Sequence, residues 1–444
     1  MRSRIRVGRP TLTVGWAAWT QLNGLQGPST AKISYVCYDV RHNCCIMFCY
    51  QEDANMRANV GGFIPVSEVV GREALIDTIW RALDQHCVRL VSERRIGKTT
   101  VLNCMSLVPR GGTRCLYRDL ESVHTMGEFV QVVMTDVAGQ LAGRERSASK
   151  TATFLRTLNG ADASGFRLPA SVSWHDLKEC LRLAIDDALR CNNGRIVFLW
   201  DEFPVMLDNV MRRQSKGVAV ELLTTLRGLR QQRPSLRLVL TGSTGLHHII
   251  SALKGSGGSD TLVNDVPVIE VPPLSPGDAE HLALQLFNGE AMELGDGRAC
   301  SVLASEVDNV PYYIHVVVAE AARRGQQIDS SAVRELVREC LVAPHDPWKL
   351  RHFVDRIQWY YPTVEVPTVH AILDFVAAAA GPVRHAAIVS GLNSAGFDPD
   401  AVQLRELLNR LQMDHYVRMD HSGAFEFTFS LVKRSWRLQR GIEP

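Results

Sequence analysis

The sequence carries almost no net charge: Lys+Arg 49 against Asp+Glu 47 leaves a formal +2 over 444 residues. That balance excludes a protein that coats nucleic acid by bulk positive charge. No apolar run approaches the ~18 residues needed to span a bilayer, so no membrane partner is expected. A cysteine framework is missing too. Eleven cysteines are an odd number, and outside the first 55 residues they are scattered singly, as small buried hydrophobes in a reducing compartment would be. Cys37, Cys44, Cys45 and Cys49 crowd together beside His42, but they form no CxxC pair and have no second ligand pair downstream, so no metal is assigned there. Nor is there a bias toward disorder, since 46% hydrophobic and 22% charged residues are ordinary for a globular chain. Arg2, Arg4, Arg6 and Arg9 precede a weakly apolar stretch, Thr11 to Trp19, which lacks the strength and the small-residue cleavage site of a secretory leader. The expected location is cytoplasmic.

The length is about three times the ~150-residue prior for one domain. Residues 1–55 show no sustained period of 2 or 3.6 and read as an N-terminal appendage, either disordered or outside the native domain. From Met56 the texture changes. Apolar residues at helical spacing, Leu75, Ile76, Ile79, Trp80 and Leu83, mark a first helix. Strands and helices then alternate: strands at Val88 to Val91, Arg114 to Asp119, Ile196 to Trp200, Arg237 to Leu240 and Val268 to Val271, with helices between them. Ile196 to Trp200 is wholly apolar, as the buried centre of a parallel sheet should be. The pattern predicts an α/β fold with a parallel sheet covered on both faces. Gly143 to Ser173 is polar and reads as an inserted loop. Past Pro276 the pattern is helical.

Ser92-Glu93-Arg94-Arg95-Ile96-Gly97-Lys98-Thr99-Thr100 lies between a strand and a helix, the setting in which a GKT tripeptide signals phosphate binding. Gly97 allows close approach of the backbone, and the helix N-terminus directs free amides at an anion. Lys98 reaches terminal phosphates and the Thr99 hydroxyl suits Mg²⁺. Candidate nucleotide contacts are therefore Ser92, Arg95, Ile96, Gly97, Lys98, Thr99 and Thr100, with Ser92 where the motif usually has its first glycine. A second element, Asp201-Glu202, ends the apolar strand; two adjacent carboxylates there are costly unless they serve a cation or a water. Asp201, with Thr99, is the candidate metal residue, and Glu202 the candidate base for an attacking water. Leu240-Thr241-Gly242-Ser243-Thr244 ends the next strand, where Thr241 and Ser243 are candidates to bond the terminal phosphate or the lytic water. ATP and Mg²⁺ are the expected ligands.

Taken in order with Val70-Gly71-Arg72-Glu73, Phe203-Pro204 and Pro272-Pro273-Leu274-Ser275, these residues resemble the additional-strand, catalytic-Glu branch of P-loop ATPases. More narrowly they resemble the prokaryotic AAA+/STAND-type group often labelled archaeal ATPases. The resemblance implies an ATPase core over 56–274, a helical lid over 275–362 and a winged-helix domain over 363–444. It places Gly71 and Arg72 near the adenine, and Pro311, in Asn309-Val310-Pro311, at a lid turn that touches nucleotide. It also implies slow ATP hydrolysis used as a switch, in which lid closure on ATP repositions the winged helix. Between Arg237 and Arg298 there is no arginine, whereas ring-forming relatives carry a trans-acting finger in that region; Arg227, Arg230 and Arg233 read as solvated. The resemblance leaves open a protein partner, self-association, or DNA bound through the winged helix, as in a nucleotide-gated regulator or initiator similar to origin-recognition ATPases. Val383 to Pro444 holds eight Lys/Arg and seven Asp/Glu, a net of +1 (8 − 7), so the basic face of a specific DNA reader is absent. The tail Lys433, Arg434, Arg437 and Arg440 is locally basic around Trp436, and the stripe Phe425, Phe427, Phe429 reads as core.

Overall fold

Apolar alternation and capping residues decide most element boundaries in the computed structural model, which describes residues 56–192, 195–242, 245–253, 262–325 and 327–443. The expected appendage, 1–55, lies outside the described residues. The first half is built from α1 (Glu73–Leu83), β1 (Val88–Val91), α2 (Lys98–Leu107), β2 (Arg114–Asp119), α3 (Met126–Gln140), α4 (Gly143–Ser147), α5 (Lys150–Leu155), α6 (Trp174–Cys191), β3 (Ile196–Asp201), α7 (Phe203–Arg213), α8 (Lys216–Gln232), β4 (Leu236–Thr241), α9 (Leu246–Leu253) and β5 (Val268–Glu270). The five strands form one parallel sheet in the order β2-β3-β4-β1-β5. Every residue of β3 is buried, which is why that strand shows no alternation in sequence. Thr125 caps α3 in a reciprocal box with Glu128, and Ser173 and Ser215 cap α6 and α8 through their hydroxyls.

One face of the sheet packs on α3, α6, α7 and α8, with Trp200 and Phe203 stacked at 6.0 Å in the middle. The other face packs on α1 and α2, and its apolar cluster continues into the second half of the chain. That half comprises α10 (Pro276–Gly289), α11 (Ala299–Glu306), α12 (Pro311–Arg324), α13 (Ser330–Val342), α14 (His352–Tyr360), α15 (Val366–Ala378), β6 (Val383–Arg384), α16 (His385–Ser394), α17 (Ala401–Met413), β7 (Val417–Met419), β8 (Ala424–Phe427) and α18 (Ser430–Arg440). The last three strands make a small antiparallel sheet, β6-β8-β7, against α15 and α18. Phe425, Phe427 and Phe429 are buried, as period 2 on a covered strand requires.

Two expectations change. Part of the polar stretch after Gly143 is not loop: α4 and α5 form there, the latter held where Asp187, fully buried on α6, accepts the Lys150 and Thr151 amides and the Thr151 hydroxyl. Arg230 and Arg233 are not solvated. Arg230 makes a paired 2.8 and 2.9 Å contact to Asp265, and Arg233 is bonded to Asp186. The basic tail is also engaged internally: Lys433 donates to the Ala379 carbonyl, Arg434 to Glu306 and Arg440 to Asp374, while Trp436 is buried and bonded to Asp374. No helix among the described residues is long and apolar enough to cross a membrane.

Candidate functional site

β1 ends at Val91 and the chain turns back into α2 through the predicted phosphate loop. Gly97, the N-cap of α2, has φ 103°, a conformation that costs a β-carbon-bearing residue about 1–2 kcal/mol and glycine little. Arg95 also has positive φ, 70°, and is held there by its side chain, which donates to the Trp348 carbonyl at 2.8 Å and covers the Tyr312 ring at 4.1 Å. Ser92 is not among the positive-φ residues, so the first motif position makes no demand for glycine here. Its hydroxyl instead lies 3.2 Å from Lys98 Nζ.

The buried Lys98 ammonium donates to the Ser92 and Glu93 carbonyls at 3.0 and 2.9 Å, and burial lowers its pKa. Thr99, exposed at the start of α2, donates from Oγ1 to Asp201 Oδ2 at 2.6 Å. Asp201 is 3% exposed; burial raises its pKa, and the Thr99 hydroxyl only partly offsets that. Glu202 follows at φ 52°, a strained left-handed position for a non-glycine residue, directly before α7. On the next strand Thr241 is 2% exposed, and its hydroxyl is buried without a hydrogen bond among the described residues. Gly242 explains how that strand tip comes so close: a β-carbon there would lie 2.5 Å from Pro204 Cδ and 3.4 Å from Glu202 Oε2.

Lys98, Thr99, Asp201, Glu202 and Thr241 thus converge at the C-terminal ends of three adjacent strands, with β4 inserted between β1 and β3. In an open α/β sheet that crevice is where ligands bind. This donor set fits a nucleotide with a divalent cation: a hydroxyl and a carboxylate paired for a hard ion, an ammonium on carbonyls it can exchange for phosphate, and an orphaned buried hydroxyl.

The remaining predicted residues are placed around the loop rather than in it. Ile96 is core, and its carbonyl accepts from the buried Arg72 guanidinium at 2.6 Å. Arg72 also donates to the Pro272 carbonyl, and burial lowers its pKa to about 10. Gly71, φ 68°, lies against the Asp278 carboxylate at the start of α10. Thr100 is half-buried on the first turn of α2. Pro311 is the first residue of α12, and the turn before it is made without glycine by Asp308 and Asn309, at φ 54° and 57°. Ser243 lies outside the described residues.

Sequence reasoning missed a second set of residues beside the loop. Glu93, 5% exposed, is gripped by both terminal nitrogens of Arg356 on α14, each at 2.9 Å. Burial alone would raise the Glu93 pKa; the Arg356 charge reverses this and holds it well below the usual carboxylate range. Arg356 donates further to the Tyr416 hydroxyl and the Asp414 carbonyl, both at 2.8 Å. The Asp414 carboxylate in turn accepts from Tyr361 at 2.6 Å and from His248 at 2.7 Å. A cavity of about 220 Å³ separates the two sets, bounded by Ser92, Glu93, Thr241, Gly242, His247 and Asp414 among others. The single forward signal was the acidic Glu93 inside a phosphate loop.

No family model matches the chain, and no curated protein matches it. Solved structures do. The Walker-type ATPase PABY2304 of Pyrococcus abyssi is 16% identical with a TM-score of 0.58, covering 83% of this chain and 96% of that one. The ORC2 protein of Aeropyrum pernix in its ADPNP-ADP complexes is 13% identical at TM-score 0.48, covering 86% and 97%. The RuvB Holliday junction branch migration motor of Thermotoga maritima is 13% identical at 0.37, covering 84% and 96%. The last two likenesses are too loose to argue from. The first establishes the architecture: the chain has a P-loop ATPase fold.

Proposed function

We propose that the chain binds Mg-ATP and hydrolyses it slowly, as a molecular switch of AAA+/STAND type. The observation that carries this reading is the 2.6 Å bond from Thr99 to Asp201, with Lys98, Glu202 and the unbonded Thr241 hydroxyl around it on three adjacent parallel strands. Lys98 exchanges its carbonyl partners for the terminal phosphates, while Gly97 and the first amides of α2 receive the remaining phosphate charge. Thr99 and Asp201 hold Mg²⁺, which supplies neutralisation of charge on the phosphates. Glu202, whose carboxylate lies beside Gly242, orients and deprotonates the attacking water, and Thr241 donates to the terminal phosphate. Residues 275–362 serve as the lid and 363–444 as a winged helix. Arg95, reaching from the loop to Tyr312 and Trp348, links phosphate occupancy to the lid. Ser243 and Pro311 complete the proposed set, with Arg72 and Gly71 on the adenine side.

The rival reading, a DNA-binding regulator or initiator gated by nucleotide, is disfavoured by the internal bonds of Lys433, Arg434 and Arg440. One experiment separates the two: ATP turnover and ATP affinity for the wild type, Lys98→Ala and Glu202→Gln, with and without duplex DNA. Glu202→Gln should lower turnover by about 10²–10⁴-fold with affinity kept, and Lys98→Ala should lose affinity. Undiminished ATP binding by Lys98→Ala would sink the proposal, and strong salt-dependent stimulation by duplex would favour the rival.

A further inference from the structure

α9 begins five residues after the end of β4 (246 − 241), and its first turn presents two adjacent imidazoles, His247 and His248, to one carboxylate on the far side of the cavity. The carboxylate is Asp414, just beyond the end of α17. His248 Nε2 lies 2.7 Å and His247 Nε2 3.1 Å from the same atom, Asp414 Oδ1. All three donor atoms fall within 4.8 Å of one another. We infer that His247, His248 and Asp414 form a binding site for a borderline divalent transition metal, of which Zn²⁺ is the natural occupant.

Four observations support the assignment. First, the donor set is two nitrogens and one carboxylate oxygen, which suits Zn²⁺ and its neighbours and does not suit Mg²⁺ or Ca²⁺. Second, His247 Nε2 is buried, lies 3.1 Å from the Asp414 carboxylate and has no other polar partner among the described residues. Third, the outer partners that fix ligand orientation in metal sites are present. The Tyr361 hydroxyl donates to Asp414 Oδ2 at 2.6 Å, and the Tyr360 ring lies 4.8 Å from that of His248. Fourth, His247 and Asp414 line the cavity described above, which offers an entry path and room for a water as fourth ligand.

With metal–ligand bonds of roughly 2.0–2.1 Å at tetrahedral angles, ligand atoms stand about 3.3 Å apart, so the nitrogen–oxygen separations of 2.7 and 3.1 Å widen slightly and the three atoms, now within 4.8 Å of one another, adjust toward that spacing. His248 now uses its Nε2 proton to bond Asp414, so ligation releases that proton or shifts it to Nδ1. The bound ion would tie α9, which follows the tip of β4, to the end of α17, two segments 166 residues apart in sequence.

The test uses the full-length chain with Cys37, Cys44, Cys45 and Cys49 replaced by serine, so that thiolates there do not contribute. Zn²⁺ is titrated against a chromophoric chelator, and Co²⁺ serves as a spectroscopic substitute. The expected result is one Zn²⁺ per chain, a Co²⁺ visible spectrum of four-coordinate nitrogen and oxygen type, and no competition from Mg²⁺. Affinity should fall at least tenfold in His248→Ala, and by about 10–100-fold when only the outer Tyr361→Phe is changed. His247→Gln, at a partly exposed position where folding is safe, should also lose at least tenfold. Unchanged Zn²⁺ affinity in His247→Gln and His248→Ala, or a stoichiometry well below one, would overturn the site. None of these readouts depends on ATP binding, so failure here leaves the nucleotide reading standing, and the reverse.

Discussion

Two polar regions share the loop between β1 and α2, and they are built on opposite terms. On one side Lys98, Asp201 and Thr241 are buried and Thr99 is exposed, with bonds that a ligand could replace, and the Thr241 hydroxyl has no hydrogen bond among the described residues. On the other side Glu93 and Arg356 are fully committed: the guanidinium holds two bonds to the carboxylate, one to Tyr416 and one to the Asp414 carbonyl. The first region is prepared for exchange and the second for permanence. Under the proposed function the loop grips and releases phosphate without unfolding, which needs one fixed side, and Arg356 supplies it by fastening Glu93 to α14.

The largest effect should therefore come from the fixed side. Arg356→Met removes one partner of a fully buried pair and leaves Glu93 charged in an apolar surrounding, which costs about 3–5 kcal/mol. Chemical denaturation of the variant measures this directly. The double variant Glu93→Gln, Arg356→Met should lose less than the two single losses summed, by about 0.5–3 kcal/mol of coupling. Additive losses would mean that the pair is not a unit, and the contrast between the two regions would collapse.

The two regions also differ in how far the sequence announced them. Gly97-Lys98-Thr99 and Asp201-Glu202 are local signals, because a phosphate is held by consecutive amides at one helix start and the paired carboxylates end one apolar strand. The five strands and their parallel direction follow from the same local texture, whereas their order in the sheet does not. Glu93 and Arg356 are 263 residues apart, and nothing at either position says that the other exists. The same holds for Arg230 with Asp265 and for Asp187 with α5. Their pairing is decided by packing of distant elements, so a basic residue on a helix reads as solvated until its neighbour is known. Pro311 shows the intermediate case: the turn before it lacks glycine, yet Asp308 and Asn309 adopt the left-handed conformation that asparagine and aspartate tolerate best.

A smaller effect distinguishes buried charge from buried neutrality. His315 on α12 is 6% exposed and accepts from the Asn59 amide through Nδ1 at 3.1 Å. Burial lowers its pKa to about 4, against an ordinary 6.5. The folded state thus favours the neutral ring, and its contribution to stability is complete above pH 6.5 and is lost as pH falls toward 4. Between pH 7 and pH 5 the loss should be about 2 kcal/mol. His315→Asn keeps an acceptor and should remove that slope in denaturation curves taken over this window. Glu93, whose pKa is depressed, would begin to lose its contribution only at lower pH, through the carboxylate range, so the two signatures separate on the pH axis.

The smallest effect is expected where the sequence signal is strongest. Replacing Lys98 by methionine deprives the Ser92 and Glu93 carbonyls of a donor, which alone would cost about 1–3 kcal/mol for each buried group left unpaired. Against this, the ammonium no longer has to be desolvated, a cost already visible in its lowered pKa, and a methylene stem of similar volume stays in place. The two terms oppose each other, and the stability of the nucleotide-free chain should change by no more than about 1 kcal/mol. With ATP at a hundred times its dissociation constant the wild type should gain about 2.7 kcal/mol, and Lys98→Met should gain nothing. Arg356→Met should behave in the opposite way, unstable without nucleotide yet still stabilised by it. If Lys98→Met instead cost as much as Arg356→Met, the ammonium would be a structural anchor like the guanidinium beside it, and the exchangeable side of the loop would not exist.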